Sequence, residues 1–108
     1  MVRMASADIS AMANMIRGEV ATARQQVMAA RIRLSALRNE IVPRAKQTVD
    51  AALASYAATQ TDAISVIEAL TTLWDVRAEE VMADARLGLA WARLHRVMGV
   101  ERAGGNRR

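Results

Sequence analysis

An all-α fold made of a few long helices is what this sequence predicts, and three observations carry that expectation. Aromatic residues make up 3% and phenylalanine is absent, whereas strands favour aromatic and β-branched side chains. One proline and five glycines among 108 residues leave little turn chemistry. Apolar residues recur at heptad spacing through most of the chain. The length suits a single domain. Alanine supplies 23 of the residues, so the core is thin and each large apolar side chain matters.

The first helix is expected over about residues 6–57, with Ser6 or Asp8 as N-cap. Its stripe runs Ala13, Ile16, Val20, Ala23, Val27, Ala30, Leu34, Leu37, Ile41, a spacing that keeps one seam towards a partner helix. Gly18 weakens the early part by about 1 kcal/mol relative to alanine. Pro43 falls inside the pattern, where it removes a hydrogen bond and disfavours helical geometry at Val42. Beyond it the stripe resumes one residue out of phase, at Val42, Ala45, Val49, Ala52 and Tyr56. A kinked but continuous helix accounts for both features, and no Gly or Ser cluster surrounds Pro43. Two helices meeting at Asn39–Pro43 is the alternative.

A turn is expected at residues 58–62, where Thr59, Gln60, Thr61 and Asp62 form a polar cluster of weak helix formers. Thr61 or Asp62 can cap the second helix, expected from about Ala63 to Met98 and ended by Gly99. Arg93, His95 and Arg96 would then occupy its last turns, where cations suit the helix dipole. A disordered tail is expected over residues 100–108. This helix has two stripes. One is Val66, Ala69, Leu73, Val76, Ala83, Leu87, Ala90, Leu94, Val97, interrupted by Glu80. The other is Ile67, Leu70, Trp74, Val81, Ala85, Trp91, Met98. Helices of about 75 and 55 Å make a rod, and one hairpin neighbour covers only one stripe. The expected architecture is therefore a long antiparallel helical hairpin, a single domain over residues 1–108, that associates with copies of itself into a helical bundle, a dimer or larger. Its packing seam is Val20, Val27, Leu34 and Ile41 against Val66, Leu73, Leu87 and Leu94.

Little in the chain points to catalysis. Without cysteine there are no disulfides, thiolate metal sites or cysteine nucleophiles. His95, the single histidine, reads as a surface or interface residue, and no acidic residue lies one turn away to complete a metal-ligand spacing. Glu80 and Asp84 share a helical face, near Glu79, and read as a solvated acidic face before a hard-cation site. Met12 and Met15, with Met1, Met4 and Met28 nearby, carry thioethers that suit monovalent copper or silver, but they also fit helix packing. No glycine-rich phosphate loop is present. No enzyme, cofactor or metal site is expected.

The net charge of +4 rests on fourteen arginines and one lysine, Lys46. Arg17, Arg24, Arg31 and Arg38 recur every seven residues along the first helix. Such a row can track phosphates. The preferred reading is a solvated or salt-bridging face with Glu19 and Glu40 nearby, since lysine is scarce and no aromatic residue interleaves for stacking. No nucleic-acid partner is expected. Asp8, Asn14 and several serines occupy the stretch Met1–Ile16, so no signal peptide is expected there. No run of about 18 apolar residues exists, so direct membrane insertion of this segment is not expected.

The stretch from Leu37 to Gly99 resembles the C-terminal helical hairpin of TolC-like outer-membrane efflux proteins, including their heavy-metal efflux branch. The matching pieces are Glu40-Ile41-Val42-Pro43-Arg44-Ala45, then Ala54-Ser55-Tyr56-Ala57-Ala58 approaching the turn. Ala63-Ile64-Ser65-Val66-Ile67-Glu68-Ala69-Leu70-Thr71-Thr72-Leu73 follows it, and Leu94 to Gly99 resembles the family's helix ending. The resemblance implies a periplasmic segment of an outer-membrane protein, part of an α-helical tunnel that three chains build. It implies that Thr59, Gln60, Thr61 and Asp62 form the tip that contacts a periplasmic adaptor protein. The family usually has glycine where this chain has Thr59, and threonine in a left-handed turn is strained. With one hairpin and no β-strands, the chain is expected to be a segment of such a protein. A stand-alone coiled-coil interaction module is the alternative, and a basic nucleic-acid-binding helical protein is a more distant one.

Overall fold

The computed structural model describes residues 2–105, with side chains described for residues 6–99. It is an elongated helical hairpin of 83 × 20 × 15 Å, without strands among the described residues. Helix α1 spans Val2–Ala36, a single π-helical turn covers Leu37–Ile41, and α2 spans Val42–Ala57. Helix α3, Ala63–Gly105, runs back along them. The outgoing arm would measure about 84 Å at the α-helical rise, which matches the long dimension.

The outgoing arm is continuous through Pro43, and the π turn is how. The Val42 N–H donates to the Leu37 carbonyl, five residues back. A π turn adds one residue without breaking the helix. Proline has no N–H to donate, and in a regular α-helix its ring meets the carbonyl four residues earlier; the widened turn ends at Ile41, two residues before Pro43. The added residue also explains the phase slip. The buried positions Val20, Ala23, Val27, Leu34 and Leu37 continue at Val42, Ala45 and Val49, so the seam steps five residues from Leu37 to Val42 and stays on one face. Ile41, expected on the seam, is pushed partly aside and is only partly buried.

The core is that seam. Val20, Ala23, Val27 and Leu94 form one cluster, with Ile16, Leu87, Val97 and Met98 against it. Leu34, Leu37 and Ala83 form a second, with Ile41 and Leu87 beside it. Leu37 is 0% exposed. From α3, Val66, Leu73 and Leu87 are partly buried and Leu94 is buried; of the expected seam, Val20 and Val27 pack with Leu87 and Leu94, and Leu34 with Leu87 and Ile41. Glu80, the polar interruption in the stripe, receives Arg38 from across the hairpin at 3.3 Å.

Two helix boundaries differ from expectation. The first helix begins by Val2, so Ser6 and Asp8 lie inside it and do not cap it. Gly99 does not end α3, which continues to Gly105. A glycine cap needs a left-handed residue, and no described glycine has positive φ. Arg93, His95 and Arg96 therefore lie inside the helix and not in its last turns. Of the expected disordered tail, residues 100–105 are helical, and residues 106–108 lie outside the described part.

Candidate functional site

The tip of the hairpin is a tightly bonded turn. The Gln60 N–H donates to the Ser55 carbonyl at 2.8 Å and the Thr59 N–H to the Tyr56 carbonyl at 3.0 Å. These two bonds make a Schellman motif with Thr59 in the left-handed position. Thr59 has φ 59°, which costs a β-branched residue roughly 1–3 kcal/mol. The chain thus keeps the left-handed turn that threonine was expected to resist. Asp62 then starts α3: one carboxylate oxygen accepts from the Ser65 N–H and the Ser65 hydroxyl, both at 3.1 Å. Of the two candidate caps, Asp62 is the one used. Thr59, Gln60 and Asp62 are exposed and Thr61 partly so, so all four expected tip residues lie together at one end of the rod.

The flanks carry the charges. Arg33 bridges to Glu79 at 3.0 Å, and Arg38 reaches both Glu80 at 3.3 Å and Asp84 at 3.6 Å. Glu80 and Asp84, the acidic pair weighed as a cation site, are thus answered by an arginine. Glu19 and Glu40, the expected partners of the arginine row, make no ion pair among the described residues; of that row only Arg38 is paired, with Glu80 and Asp84 of α3. Among the described residues no three of His, Asp and Glu group as metal ligands. His95 is exposed and tilts against Trp91, with ring centroids 5.9 Å apart. Met12, Met15 and Met28 are exposed and are not core filler; Met1 and the side chain of Met4 lie outside the described part. Between the arms lies an open groove of about 460 Å³, lined by Ala30, Ala83 and Leu89 together with Arg33, Arg86 and Arg93.

The most unusual surface is the back of α3. Ile67 is 60% exposed, Trp74 71% and Val81 70%, and Ile64, Met82 and Leu89 are exposed beside them. These residues lie across the helix from the seam residues Ala69, Ala83 and Leu94. An apolar side chain leaves water only when something covers it. The first helix covers one side of α3, and nothing among the described residues covers the other. No described helix is long and apolar enough to cross a membrane.

These features define the class: an all-α hairpin rod with a packed seam between its arms, an exposed apolar face on the back of α3 and a hydrogen-bonded polar tip. Comparison with protein-family models, with curated proteins and with solved structures finds no match for this chain.

Proposed function

We infer that this chain is a structural element that builds a larger helical assembly by lateral packing, with no reaction and no cofactor of its own. The observation that carries this is the exposed apolar face of α3, opposite a seam that the hairpin already fills. In its finer form, the assembly is the periplasmic α-helical tunnel of a TolC-like outer-membrane efflux component, and the turn at Thr59–Asp62 is its adaptor-facing tip. What supports the finer form is the residue-level resemblance from Leu37 to Gly99. The continuous rod and the compact turn are compatible with it.

Grafting residues 37–99 in place of the matching hairpin of a working TolC-like protein tests the finer form. Retained export and resistance support it. A graft that assembles in the outer membrane yet exports nothing removes the adaptor-facing role. The second reading, a stand-alone coiled-coil module, is favoured by one feature: the hairpin closes its own seam, with three ion-pair contacts across the arms. Self-association of the isolated hairpin together with a failed graft selects that reading.

A further inference from the structure

We propose that the back of α3 is a docking face for the same face of a second copy, running antiparallel about a two-fold axis between Glu79 and Glu80. This deepens, and rests on, the reading of the hairpin as a laterally packing element. It does not depend on the efflux assignment.

The exposed face has an internal symmetry. Its large residues, Ile67, Trp74 and Val81, follow one another at heptad spacing, and its small residues, Ala78, Ala85 and Ala92, do the same one ridge over. Placed antiparallel about that axis, Trp74 meets Ala85 of the second copy, Ile67 meets Ala92 and Val81 meets Ala78. Each large side chain faces a small one, the arrangement that fills space between close helices.

The charges select the same register. Arg77 and Asp84 share one flank of this face, seven residues apart. In the proposed register Arg77 of each copy lies beside Asp84 of the other. A slide of one heptad in one direction sets Arg77 against Arg77, and in the other direction Asp84 against Asp84. Like charges in these positions repel. A parallel pair aligned in register leaves Arg77 beside Met82 and Asp84 beside Leu89, since flanks then meet five residues on. Arg77 makes no ion pair among the described residues, and Asp84 is held only by the 3.6 Å contact to Arg38, so both can pair across the face.

The size is adequate. From Ile64 to Ala92 the strip is about 42 Å long, and two such strips bury on the order of 1,000 Å², the lower limit for a specific interface. Because the face lies opposite the seam, the product is a flat layer of four helices with the two α3 helices central.

The chain lacks cysteine, which makes the test direct. Full-length Ala78→Cys and Val81→Cys variants are mixed and oxidised, and separately each is oxidised alone. The proposal expects the mixed disulfide dimer to exceed either self-linked dimer at least about tenfold. A dominant Ala78→Cys self-link would show parallel packing, overturning the register while leaving lateral packing intact. A chain that stays monomeric in light scattering would overturn both. Independently, Arg77→Asp and Asp84→Arg should each weaken self-association on the order of tenfold. A 1:1 mixture should restore it, because every cross-pair is then of opposite sign. Circular dichroism confirms that each variant folds, and a folded pair that fails to complement contradicts the proposal.

Discussion

Deleting one residue from the middle of a helix normally rotates everything beyond it by about 100°. In this chain the π turn already holds one residue more than an α-helix needs. Removing Asn39, which is exposed and bonded only to Ser35, should collapse Leu37–Ile41 to α-helix and keep the seam aligned. Pro43→Ala is combined with the deletion, because the proline ring does not fit a regular α-helix. If the π turn were incidental, the deletion would turn Val42 and Val49, now 6% exposed each, out of the seam. At about 2 kcal/mol for each buried valine, that loss is about 4 kcal/mol. The expected change for the combined variant is instead within about 1 kcal/mol of the parent. Deleting Gln25, in regular helix, serves as the comparison. It separates Val20 and Ala23 from Val27 and Leu34, and should cost about 3 kcal/mol or more. Urea unfolding followed by circular dichroism at fixed protein concentration measures all three chains. Equal destabilisation by the two deletions would refute the π turn as the device that keeps the seam in phase.

Other consequences are simpler. Thr59→Gly should raise stability by about 1 kcal/mol by relieving left-handed strain, and Asp62→Ala should lower it by about 1 kcal/mol through loss of the cap, both read from urea midpoints. Leu37→Ala should cost about 3 kcal/mol, since the side chain is fully enclosed. Arg24→Ala with Arg31→Ala should leave helicity and melting within about 0.5 kcal/mol of the parent, because neither arginine makes an ion pair among the described residues.

The hairpin was legible because its information is periodic. Positions from Val20 to Leu37 and from Val66 to Leu94 repeat at the spacing that keeps one face turned to a neighbour, and Val20, Val27, Leu34, Leu37, Leu87 and Leu94 among them pack in the seam's two clusters. The phase slip between Ile41 and Val42 was equally visible, and it marks the site of the added residue. Its form was not visible, because a kink and a π turn leave the same trace in an apolar pattern. The Arg38 bridge to Glu80 and Asp84 escaped the sequence for another reason. It joins residues on opposite arms, and their meeting depends on the register of the hairpin. Proximity along the chain suggested Glu19 and Glu40 instead. Gly99 misled because glycine permits a left-handed cap without requiring one, and the neighbouring arginines fit a helix interior as well as a helix end. At the tip, the polar cluster located the turn, whereas the left-handed Thr59 is imposed by the two Schellman hydrogen bonds against the preference of its own side chain.

The exposed face of α3 is a property of Ile67, Trp74 and Val81 that no partner among the described residues removes. Light scattering of the purified chain over a range of concentrations, at moderate salt, asks whether a second copy removes it. A hairpin that packs laterally should give a mass at or above twice the 11.8 kDa of one chain, falling towards the single-chain value when Trp74 and Val81 are both replaced by glutamate. A mass of 11.8 kDa at every concentration would contradict it.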